Sequence, residues 1–190
     1  MKTKILLLLF VIQLSNITAQ ESTLKKIKNL YYKANADNYQ THKLSMSTMQ
    51  AAIGLQTTDI VFFYDTQQVN PEESPYKLDY TLVKIEVSYN ISASMDYKIE
   101  YLFDKNEELV FYFKKAEGVS GNSSIRYYYE KAKLIKVILT STNENGENKD
   151  YTNTVRFKLD DMNFAKLYAD KSKKYLAFFN EMIKVEGLNK

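Results

Sequence analysis

Glu86, Glu100 and Glu130 fall on the polar sides of three alternating segments. Paired carboxylates are what glycoside hydrolysis requires, one carboxyl serving as acid and the second as base or nucleophile. Lys84, Lys98 and Arg126 share those sides, so cross-strand ion pairing accounts for the same residues without catalysis. The stretch Gly118-Val119-Ser120-Gly121 has a glance of the nucleophile elbow, but its spacing departs from G-x-S-x-G and it lies between two strands instead of entering a helix. His42, the only histidine, is placed by the periodicity near the end of the first helix, as a helix-end or surface group. Asn143, Asn145, Glu147 and Asp150 make an oxygen-rich loop without the helical flanks or twelfth-position glutamate of an EF-hand, and a hairpin turn explains it more simply. With no cysteine in the chain, thiol nucleophiles, thiolate metal clusters, disulfides and cysteine-linked lipid anchors are excluded. No catalytic residue, metal ligand or cofactor is assigned on these grounds.

The compositional excess is tyrosine, sixteen in 190 residues. Tyr127 and Tyr129 are expected on the core side with Ile125, and Tyr128 on the reverse with Arg126. Tyr112 is likewise placed opposite Phe111 and Phe113. The reverse side then carries Leu102, Val110, Tyr112, Tyr128, Ile135 and Val137, which either lie under a helix or form an exposed aromatic platform. Rigid rings with polar tips suit recognition of proteins or sugars, since they offer much area at small entropic cost. The candidate binding residues are therefore Leu102, Tyr112, Arg126 and Tyr128.

The elements that must position them follow from the period of the apolar residues. Leu24, Ile27, Leu30, Tyr31 and Ala34 recur three and four apart, predicting an amphipathic helix over 22–36. After Asn38 the pattern becomes strand-like, alternating weakly over 43–49, with a buried strand at 60–64 after a connection at 51–58 pinned by Gly54. Residues 67–76, with Pro71 and Pro75, read as a loop. Val83, Ile85, Val87, Tyr89 and Ile91 alternate with polar residues. Strands at 97–103 and 109–113 follow around a turn at 104–107, then a pair at 125–129 and 134–140. Asn145-Gly146 marks a further turn into a strand over 151–159. The last segment returns to helical spacing, with Asp160 or Asp161 capping it and Phe164, Leu167, Tyr168, Tyr175, Phe178, Phe179 and Met182 on one broad face. The expected class is α+β: an antiparallel meander of about six to seven strands, with an N-terminal and a C-terminal helix packed on one face.

Residues 1–20 read as a secretory signal: Lys2 and Lys4, then eight apolar residues, then Thr18-Ala19 before a cleavage point near Gln20. Eight apolar residues are too few to span a bilayer, and no later stretch is long and apolar enough. Residues 1–19 are thus assigned to the signal and 20–190 to one domain. Removing 19 of 190 residues leaves 171 and lowers Lys plus Arg from 26 to 24 against 23 acids, a net charge of +1. Nucleic acid is an unexpected partner at that charge, with only Arg126 and Arg156 as arginines. Asn90-Ile91-Ser92 and Asn122-Ser123-Ser124 fit the N-glycosylation pattern, which matters only in a eukaryotic secretory pathway.

IEYLFDKNEEL (99–109) and IRYYYEKAKL (125–134) share one order of isoleucine, charge, tyrosine, apolar, aromatic, acid and lysine, with leucine after a turn. At these residues, and in AAIGLQTTDIVFFYD (51–65) and VKIEVSYN (83–90), the chain resembles small exported Bacteroidetes proteins of unknown function with hairpins of the form YYFD-turn-L. The resemblance implies hairpins and export, and no activity. Where such proteins often place glycine in the hairpin turn, this chain has Glu107 and Ala132. Taken together, the sequence points to an exported, periplasmic or secreted, non-enzymatic domain that binds an envelope protein or a glycan through a tyrosine-rich sheet face. A carboxylate-dependent glycan hydrolase and a structural envelope protein are the alternatives.

Overall fold

The computed structural model describes residues 2–52, 54–69, 72, 77–91, 95–118, 121–143, 145–154 and 156–186, with side chains from Ala19 onward, Lys77 excepted. The proposed elbow residue Ser120, both prolines and Ser92 lie outside the described residues. Helix α1 (Lys2–Ala36) leads into eight strands and a closing helix: β1 (Gln40–Gln50), β2 (Gly54–Val69), β3 (Lys77–Ile91), β4 (Met95–Phe103), β5 (Leu109–Gly118), β6 (Gly121–Glu130), β7 (Lys133–Thr142), β8 (Asn148–Asn153) and α2 (Leu159–Val185). The strands form one sheet in sequence order, every neighbour antiparallel. The expected α+β meander with a helix at each end is present, with eight strands rather than six or seven. The segment 51–58 is not a connection: it tightens at Ala52, whose φ is 65°, and enters β2 at Gly54, φ 90°.

The two helices lie against opposite faces, where both were expected on one. Phe179, Ile183 and Ala165 of α2 pack on Phe62, Ile85, Tyr101, Tyr112, Tyr127 and neighbours. Ile27 and Ala34 of α1 pack on Leu102, Phe111 and Tyr128. Consecutive strand residues point to opposite faces, so Tyr127 and Tyr128 must serve different helices. Burying both faces is the physical reason for the split, since a sheet apolar on each side needs a cover on each side.

Three hairpins repeat one pattern: Ile60-Val61-Phe62-Phe63-Tyr64-Asp65, Ile99-Glu100-Tyr101-Leu102-Phe103-Asp104 and Ile125-Arg126-Tyr127-Tyr128-Tyr129-Glu130. Each returns through a leucine and a β-branched residue, at Leu82-Val83, Leu109-Val110 and Leu134-Ile135. In all three the register shifts at the same place, leaving Val83, Val110 and Ile135 as unpaired bulge residues. All three bulged side chains pack under α1. A bulge frees a backbone group from the ladder, and Gln20 Nε2 donates to the carbonyl of Ile135 at 2.6 Å.

The bulge at Val110 corrects the placement of Tyr112. Counting alternately from Leu109 put Tyr112 opposite the core, but the extra residue restarts the phase, so Phe111 faces α1 and Tyr112 faces α2. Val137 moves to the α2 face by the same mechanism at Ile135. In α2 the buried stripe runs through Ala165, Ser172, Phe179 and Ile183, while Phe164, Leu167 and Phe178 are exposed. Small residues let the helix approach a surface of large tyrosine rings, and Tyr129 donates its hydroxyl to the Ala165 carbonyl at 3.0 Å. The N-cap is Lys158, without a side-chain cap, and not Asp160 or Asp161.

Candidate functional site

Of the four candidate binding residues, three are sealed inside. Leu102 is 1%, Tyr112 0% and Tyr128 6% exposed. Tyr112 is stacked on Tyr168 of α2, and Tyr128 rests on Phe111 beneath α1. They form no exposed platform, because these three positions lie under one helix or the other. Arg126 is half-buried at the edge of α1.

The charged residues are brought together on the α1 side. One row across the sheet runs Val61, Glu86, Glu100, Phe113, Arg126, Ile138. Glu86 and Glu100 are direct cross-strand partners, and Lys98 reaches both, at 3.8 and 3.1 Å. Lys84, 3% exposed, donates to Glu86 Oε1 at 2.8 Å and to Asn35 Oδ1 at 2.7 Å, with its ammonium 4.4 Å from the Phe63 ring centroid. The last turn of α1 therefore closes over an alternating cluster of two lysines and two glutamates. Burial pulls Lys98 down, but the Glu100 and Glu86 carboxylates outweigh it and hold its ammonium above the ordinary lysine value. Burial, with the Glu100 carboxylate alongside, pushes the Tyr31 phenol up to about 12.

Glu100 is 4% exposed, and its Oε2 has no hydrogen-bond partner among the described residues. Both carboxylates are turned onto lysine ammonium groups, the arrangement of a cross-strand ion network. Glu130 stands apart, accepting from Thr23 Oγ1 at 2.7 Å.

Past the end of α1 the same face is open. A groove of about 500 Å³ crosses β2 to β5, and Asp59, Glu86, Asn90, Asp96, Lys98 and Glu117 line it. Its acids are already engaged: Asp59 by Lys43 at 2.9 Å and by the Ser45 hydroxyl at 2.6 Å, and Glu117 by Lys115 at 2.5 Å. Asp96 accepts from Asn90 at 2.7 Å. The hydrogen bonds from Ser45 and Lys43 hold the Asp59 carboxyl below the usual carboxylate range. Sequence alternation had marked Glu86, Lys98 and Glu100. It missed Asp59, Asp96 and Glu117, whose signal was the polar half of the same period of two.

His42 lies on β1 and not at a helix end. It stacks on Tyr64 with ring centroids 5.1 Å apart, and its Nε2 meets the Tyr64 hydroxyl at 3.2 Å and Glu186 Oε2 at 3.4 Å. It thus ties the first strand to the end of α2. In the loop read as oxygen-rich, Asn143 Oδ1 accepts the backbone N–H groups of Asn145 and Glu147, so its polar atoms shape the turn. Among the described residues no group of three or more His, Cys, Asp or Glu is placed to hold a metal, and no helix is long and apolar enough to cross a membrane.

Comparison with known proteins places no relative beside this arrangement: no family model, no curated protein and no solved structure matches the chain.

Proposed function

We propose that this chain is an exported, non-enzymatic binding domain that takes a neutral glycan chain along the open groove of the α1-side sheet face. The observation that carries the reading is the pairing of three of the groove's four acids with lysines, Asp59 with Lys43, Glu86 with Lys84 and Lys98, and Glu117 with Lys115. Fixed donors and acceptors stand close together with little net field. That favours a hydroxyl-rich neutral ligand over a strongly charged peptide, which needs unpaired charge of the opposite sign. Polar groups held by their neighbours also spend little entropy on binding. The engagement of Glu86 and Glu100 by lysines supports binding over hydrolysis.

Titration of the chain with neutral envelope oligosaccharides tests this. Binding is expected to weaken about tenfold in Lys98→Ala and in Asp96→Ala, with little dependence on salt. Absence of oligosaccharide binding, or full affinity in both variants, overturns it. A scaffold role in the envelope is the second reading. It is favoured by the burial of Leu102, Tyr112 and Tyr128, which leaves the tyrosines to build the core.

A further inference from the structure

Between α1 and the sheet, on the strands next to the ion network, lies a recess of about 220 Å³. Tyr31, Phe111, Phe113 and Tyr128 wall it, and two cations, Arg126 and Lys28, border it. Its aromatic walls are fixed by one another: Tyr31 meets Phe111 edge-on at 5.2 Å, and Phe111 meets Tyr128 at 5.0 Å. Arg126 lies over the Phe113 ring, 5.0 Å from its centroid, and its Nη1 donates to Ser124 Oγ at 3.2 Å. In register, Phe113 stands between Glu100 and Arg126, and Glu100 is occupied by Lys98. Among the described residues neither Arg126 nor Lys28 has a carboxylate within ion-pair distance, whereas the lysines of the neighbouring network do.

We infer that this recess is a binding site for a small organic anion with a flat apolar body, an aromatic carboxylate in chemical class. A guanidinium presents five N–H donors in a planar fork, and among the described residues only one hydrogen bond from it is made within the protein. The remaining donors match a carboxylate in the bidentate geometry that gives the strongest hydrogen bonds. Half-burial strengthens that pair relative to one in open water. The rings supply apolar and edge-to-face contact for the body of the ligand. The volume lies below the range of drug-sized pockets, which limits the occupant to about one ring and its carboxylate. The site is separate from the glycan groove and does not depend on that reading.

Calorimetric titration of the whole chain with benzoate, benzamide and inorganic phosphate tests the assignment. Benzoate is expected to bind saturably, with benzamide and phosphate each at least about tenfold weaker. Arg126→Gln should weaken benzoate about tenfold or more, and Lys28→Ala about threefold, with a loss of salt sensitivity. Lys28 is exposed on α1, so that variant keeps the fold even where Arg126→Gln lowers stability. Oligosaccharide binding at the groove is expected to be unchanged in both. Benzamide or phosphate binding as tightly as benzoate overturns the proposal. So does full benzoate affinity in both variants, or no saturable benzoate binding up to about 10 mM.

Discussion

The rings of Tyr112 and Tyr168 lie 4.0 Å apart, centroid to centroid, with planes inclined by only 11°. This stack joins the middle of the sheet to α2, and Tyr101 and Tyr127 meet it from the neighbouring strands. The hydroxyls of Tyr101, Tyr112 and Tyr127 are buried without hydrogen-bond partners among the described residues. The rings therefore stabilise the fold while their hydroxyls detract from it.

Tyr112→Ala is expected to cost about 3–5 kcal/mol, the range for truncating a large buried ring. Tyr112→Phe should be neutral or slightly stabilising, because it removes a buried polar group that has no partner to lose. Urea unfolding followed by circular dichroism separates the two. A loss above about 1 kcal/mol in Tyr112→Phe would show that the hydroxyl is satisfied.

High pH should unfold the protein. Burial, and for some the neighbouring tyrosines, raises the phenols of Tyr101, Tyr112, Tyr127 and Tyr129 above their value in the unfolded chain. A group raised in this way contributes stability that is fully present below the unfolded value of about 10 and is lost as pH rises beyond it. Tyrosinate absorbance and circular dichroism recorded together from pH 8 to 13 check the sign. The buried set should ionise only as the fold is lost. Smooth ionisation of these four with the fold intact would refute the burial.

Lys84→Met is expected to lower stability by about 3 kcal/mol, since it removes the nearer of the two ammoniums that Glu86 faces at the end of α1. Lys84→Met with Glu86→Gln should recover at least half of that loss. A double-mutant cycle in guanidinium measures the coupling. Simple additivity would mean that the two charges are independent.

The hairpin turn after β6 carries Lys131 and Ala132 at φ 48° and 61°, a conformation that favours glycine and asparagine. Lys131→Asn with Ala132→Gly should stabilise the protein by about 1 kcal/mol and raise its melting temperature by a few degrees. An unchanged or lower midpoint in thermal unfolding would count against this turn geometry.

Much of the fold is legible in the chain because the period of a strand is a local property. Ile85, Val87 and Tyr89 announce β3, and the spacing of Leu24, Ile27 and Tyr31 announces α1 without reference to anything else. Glu86, Lys98 and Glu100 could be named as charges on one side of neighbouring strands for the same reason. The phase of β5 could not be read. A bulge at Val110 costs one residue of register, and nothing in Leu109-Val110-Phe111 distinguishes a bulge from continuous alternation. The same bulge in three hairpins was written in the repeat, but two of its copies stood out and the third, at residues 60–65, shows its kinship only once Val83 is seen unpaired.

By itself the sequence determined that this protein is a tyrosine-rich antiparallel meander with a helix at each end, because hydrophobic periodicity is fixed by neighbours along the chain. Only the tertiary structure decided that the helices take opposite faces, that Leu102, Tyr112 and Tyr128 are buried, and that Arg126 stands over Phe113 beside an aromatic recess. Those outcomes depend on which strand residue meets which partner. Bulges and helix docking set that choice through packing between segments distant in sequence.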